Sequence, residues 1–136
     1  MKDIVRLLQT ASENKGLIYA YGKKAALALL DGEMSKDDCH ILHEFSNRKS
    51  EYNRTGTKII AANYEGKFFI VKHVENEIHS LGNQFAELKE MFEISGVEVE
   101  QWKSLDVSEA LDNNMKGLLC SYRVRVLCES VEQKQS

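Results

Sequence analysis

Proline is absent from this 136-residue chain, cysteine occurs three times and tryptophan once. Without proline, no X–Pro isomerisation can slow folding. Cys39, Cys120 and Cys128 are an odd number with no close pairing, which argues for reduced thiols and against a disulfide framework. No apolar run reaches the roughly 20 residues that a membrane-spanning helix needs. The opening segment MKDIVRLLQTASENK mixes charges into its apolar pattern, unlike a secretory signal. A soluble cytoplasmic protein without membrane contact is therefore expected, and the sequon Asn53-Arg54-Thr55 has no use there.

Signatures of catalysis are equally scarce. Gly22-Lys23-Lys24 lacks both the upstream glycine and the Ser/Thr of a phosphate-binding loop. No Gly-x-Ser-x-Gly elbow is present, and no cysteine has the local sequence of a nucleophile. His40, His43 and Glu44 would share one face of a helix, but zinc usually takes three or four ligands. The remaining candidates, His73 and His79, lie far along the chain. The expectation is a protein without catalytic residues, metal or cofactor.

What the chain does contain is ordinary for one globular domain: 43% hydrophobic and 29% charged residues. Residues 1–130 are expected to form that domain and 131–136 a polar tail. Charge is divided unevenly, +3 over residues 1–72 and −6 over 73–136. An anionic partner could therefore meet the N-terminal half.

Asp3 is placed to cap a first helix carrying Ile4, Leu7, Leu8 and Ala11. Leu17–Leu30 reads as mostly helix, with strand-then-helix as the alternative. Ser35 and Asp38 resemble a capping box opening a third helix, with Cys39, Ile41, Leu42 and Phe45 on its buried side. Two β-rich runs, Lys58–Tyr64 and Lys67–Val74, flank Glu65-Gly66, which reads as a hairpin turn. Val74, Ile78, Leu81, Phe85, Leu88 and Phe92 draw a stripe down a helix that Ser95-Gly96 stops. A strand at Val97–Trp102 follows, giving a βαβ-like unit that normally makes a parallel crossover. Asp106 and Glu109 open a short helix, VSEALDNNM. The final strand alternates, with Leu118, Cys120, Tyr122, Val124, Val126 and Cys128 inward and Ser121, Arg123 and Arg125 outward. The predicted fold is α+β or α/β: a mixed four-stranded sheet with a β-hairpin, helices packed on it, and a helical N-terminal third. Its core should hold Ile60, Phe69, Val71, Val99, Tyr122, Val124 and Val126, with Phe69→Ala costing about 3–5 kcal/mol.

Phe68–Val74, the helix, GVEVEQW and SLDVSEAL resemble in element order the small nucleases of the PD-(D/E)xK type. That likeness implies a carboxylate two residues before Lys72, where Ile70 stands, so it implies the fold without hydrolysis. Three helices followed by a hairpin also resemble a winged helix. Arg48, Lys49, Arg54 and Lys58 would then lie near nucleic acid, with Arg123 and Arg125 as further contacts. The reading favoured by the sequence is a non-catalytic binding or regulatory protein with a protein or small-molecule partner, and nucleic-acid binding is the alternative. A homodimer is expected, through the helix stripe or the edge of the last strand.

Overall fold

The computed structural model describes residues 3–22 and 37–128. Its elements run α1 (Ile4–Asn14), β1 (Ile18–Tyr21), β2 (Cys39–Tyr52), β3 (Ile59–His73), α2 (Leu81–Ile94), β4 (Glu98–Asp106) and β5 (Met115–Leu127). A single 3-10 turn, Ser108–Ala110, stands where a short helix was expected. Among the described residues the sheet has five strands, not the expected four, in the order β1-β2-β3-β5-β4, and β1 with the start of β2 occupies part of the N-terminal third expected to be helical. Among these described strands β1 and β2 pair in parallel, and the other three ladders are antiparallel. The architecture is mixed α+β.

Asp3 caps α1 as expected, its Oδ1 accepting the Val5 amide at 3.0 Å. Ser80 caps α2, so that helix begins seven residues after Val74. Val74 and Ile78 lie ahead of it, 41% and 76% exposed, and are not part of the stripe. The rest of the stripe covers this chain's own sheet: Leu88 and Phe92 are buried, with Leu81 and Phe85 packed against the same core. Beneath both helices lie Ile41, Phe68, Ile70, Cys120, Tyr122, Val124 and Val126. The inward face of β5 is the one the alternation predicted.

Four expectations change. Lys58–Tyr64 and Lys67–Val74 belong to one strand, β3, which runs straight through Glu65-Gly66. Gly66 lies opposite Tyr122 in the ladder, and a Cβ there would sit 2.3 Å from the tyrosine Oη. The glycine makes room for a ring; it does not turn the chain. The hairpin instead joins β2 to β3, where Asn53 Oδ1 accepts the amides of Thr57 and Lys58.

The expected third helix is the extended strand β2, and β1 matches the opening of the strand-then-helix alternative for Leu17–Leu30 in place of the favoured helix; residues 23–36 lie outside the described residues, as does the expected polar tail. In β2 the side chains alternate, so Cys39, Ile41 and His43 turn inward and His40, Leu42 and Glu44 outward. Strands β3 and β4 are parallel to one another, but β5 is inserted between them, so the βαβ-like segment has no direct parallel pairing. Finally, Phe68 and not Phe69 points into the core. Phe68 is 1% exposed, whereas Phe69 is half-buried on the face away from the helices.

Candidate functional site

Three places are candidates, two polar and one apolar, and the deepest surrounds His43. Its imidazole is 1% exposed, on the helix side of β2. Nδ1 lies 2.7 Å from Tyr19 Oη and Nε2 2.6 Å from Tyr122 Oη. A neutral imidazole donates through one nitrogen and accepts through the other, so one tyrosine accepts and its counterpart donates. Burial lowers the His43 pKa to about 4 and pushes both tyrosine hydroxyls up. The ring belongs to an aromatic layer that continues through Tyr122 and Phe68 to Trp102, whose indole N–H donates to the Phe85 carbonyl at 3.0 Å. With His43 and Tyr122 buried and Tyr19 partly so, the Tyr–His–Tyr chain ties β1, β2 and β5 together.

Stability should follow the protonation of that ring. The unfolded chain takes up the proton near the ordinary histidine value of about 6.5, whereas the folded chain resists it until about pH 4. Between those values the unfolded state binds more protons, so stability is complete above pH 6.5 and declines as pH falls. Urea unfolding at pH 7 and pH 5 should differ by about 2 kcal/mol from this group. Burial lowers His40 as well, in the same sense. Stability that stays flat across this window would contradict the assigned network.

The strand geometry separates the residues that a helix would have gathered. His43 faces in, while His40 and Glu44 face out, and His73 and His79 lie elsewhere. Among the described residues no group of three or more His, Cys, Asp or Glu side chains is arranged to hold a metal. The six basic residues are also divided. Arg48 lies on the helix side of the sheet, its Nε 3.3 Å from Tyr64 Oη and its guanidinium over the Tyr64 ring. Lys49 lies on the opposite face, and Arg54 and Lys58 in the β2–β3 turn. Arg123 pairs with Glu65 at 3.2 Å. Arg125 reaches Glu51 at 2.6 Å and Glu98 at 3.1 Å, spanning the sheet from β2 to β4.

A second place is a cleft of about 430 Å³ at the start of α2, where Lys72, His79, Lys116 and Asp106 converge. Lys72 is 9% exposed, and its ammonium nitrogen donates to the carbonyls of Asn76 (2.8 Å) and His79. Asn76 shapes the loop that supplies them, its Oδ1 accepting the Ile78 and His79 amides at 3.1 Å.

The third place is the sheet face away from the helices. Ala20, Leu42, Phe69, Leu119 and Leu105 are successive ladder partners, one from each strand, and form an apolar row across all five. None is fully buried; Leu119 is 38% and Leu105 63% exposed.

No protein-family model matches the chain, and no curated protein is significantly similar to it. No described helix is long and apolar enough to cross a membrane. Sequence reasoning missed the cleft and the apolar row because both are made by ladder partners far apart in the chain. The alternation of Leu118–Cys128 could have exposed Leu119, but assigning its neighbours required the strand order.

Proposed function

We propose that this protein is a non-catalytic binding protein that acts as a homodimer through the helix-free face of its sheet. The apolar row Ala20–Leu42–Phe69–Leu119–Leu105 carries this reading. A two-fold interface sets a patch against itself, which suits apolar side chains and penalises a surface of one charge. The charged rows beside it are internally compensated by the Arg123–Glu65 and Arg125–Glu51 and Arg125–Glu98 pairs. They oppose no second copy. The alternative surfaces weighed from sequence are occupied: the α2 stripe covers its own sheet, and β5 lies between two strands.

A nucleic-acid-binding role has less support. Arg123 and Arg125 are held by carboxylates and lie across the sheet from Arg48, leaving Lys49, Arg54 and Lys58 as the basic surface of the β2–β3 arm.

Sedimentation of the unmodified protein at micromolar concentration should show a dimer. The double substitution L105K/L119K should give a folded monomer, because both side chains are already solvent-accessible. A monomer at high micromolar concentration in the unmodified protein would end the proposal.

A further inference from the structure

The cleft at the start of α2 contains a buried amine in an unusual setting. Lys72 is nine-tenths buried, yet among the described residues no carboxylate lies within salt-bridge distance of it. Its two hydrogen bonds go to neutral backbone carbonyls, those of Asn76 and His79. A neutral amine has two N–H bonds and one lone pair. In that neutral form the two carbonyl acceptors would use both N–H groups, and the lone pair would remain unshared. Directly opposite in the ladder, on the same sheet face, stands Lys116, a like charge that opposes protonation of Lys72. Other titratable groups around it are Cys39 across the β2 ladder, Glu77 and His79 on the loop, and Asp106 at the end of β4. Asp106 is engaged locally, its Oδ1 accepting the Ser108 amide at 2.9 Å. Burial first, and Lys116 after it, lower the Lys72 pKa, while Cys39 and Glu77 act against them.

We infer that Lys72 is a reactive amine that captures a small carbonyl compound bearing a carboxylate, such as an aldehydic or 2-oxo acid, as a reversible imine. Nitrogen attacks the carbonyl carbon, a C–N bond forms, and the carbonyl oxygen leaves as water with both amine hydrogens. The exchange is redox-neutral and needs no co-reactant. Lys116 supplies the cation that holds the carboxylate at the cleft mouth. This extends the binding role to a second ligand class and does not depend on the dimer face, so either can fail alone.

The probe is glyoxylate at limiting concentration and neutral pH, with cyanoborohydride to reduce any imine, followed by peptide mass mapping. Lys72 should be modified ahead of the exposed lysines, since each unit by which its pKa is lowered raises the free-amine fraction about tenfold. The Lys72→Arg variant, which keeps donors for both carbonyls, should lose the preferential adduct. Lys116→Gln should reduce it several-fold, through the lost carboxylate contact and the raised basicity of Lys72. Labelling that follows exposure, with Lys72 among the last, would overturn the proposal in favour of an ammonium that only staples the loop. A Lys72 titration midpoint, read by NMR at its ε-carbon, no lower than that of exposed lysines would overturn it as well.

Discussion

Replacing Phe68 with alanine should destabilise the protein by about 3–5 kcal/mol, and replacing its neighbour Phe69 by about 2 kcal/mol. The two side chains have the same composition and lie on opposite faces of β3. Phe68 is enclosed between α2 and the sheet, with the rings of Trp102, Tyr122 and Phe85 at centroid distances of 5.3, 6.2 and 6.4 Å. Its removal would leave a cavity among rigid aromatic rings that cannot collapse into it. Phe69 is half-buried and rests over Gly117, so solvent would fill much of the space it leaves. Chemical unfolding of the two variants, read from midpoints at constant m-value, measures the difference. A larger loss for Phe69 would mean that β3 is out of register by one residue.

Gly66→Ala is the second large effect, a loss of about 3 kcal/mol from the addition of one methyl group. The new Cβ would fall 2.3 Å from Tyr122 Oη and 2.6 Å from its Cζ. That ring has little freedom to retreat: it is 2% exposed, and its hydroxyl is held 2.6 Å from His43 Nε2. Accommodation must come from the backbone of two central strands or from breaking the Tyr–His–Tyr chain. The double variant Gly66→Ala with Tyr122→Ala should show strong coupling, costing about 2–3 kcal/mol less than the sum of the single losses. Additive losses would place the origin of the glycine requirement elsewhere.

Gly66 also shows why part of the fold was unreadable in the sequence. A glycine after glutamate between two β-rich runs has the local form of a turn, and only Tyr122, in β5, explains it otherwise. In β2, Cys39, Leu42 and Phe45 fall at helical spacing, while the strand hides a buried polar residue, His43, at a position that alternation would fill with an apolar one. Where burial and polarity agree, as from Leu118 to Cys128, the strand face was legible. The α1 cap was legible too, because capping is local. The candidate sites were not. Tyr19, His43 and Tyr122 meet across β1, β2 and β5, and Lys72 meets Lys116 across a ladder; both depend on the strand order, which no short segment encodes. The basic residues were visible as charges, but their carboxylate partners, Glu65, Glu51 and Glu98, were not.

The insertion of β5 between β3 and β4 has a consequence for how the chain folds as it is made. Strand β4 leaves the ribosome before β5, yet among the described strands its hydrogen bonds are made to β5 alone. Until β5 arrives, the outer edge of β3 and the whole of β4 present unpaired backbone groups, with the underside of α2 incompletely covered. Closure of the sheet is thus a late, non-local event, of the kind that slows folding and leaves nascent chains open to aggregation. Synthesis halted after β4 should yield a chain with two helices and three paired strands, β1 to β3, but no complete core, a natural substrate for chaperones.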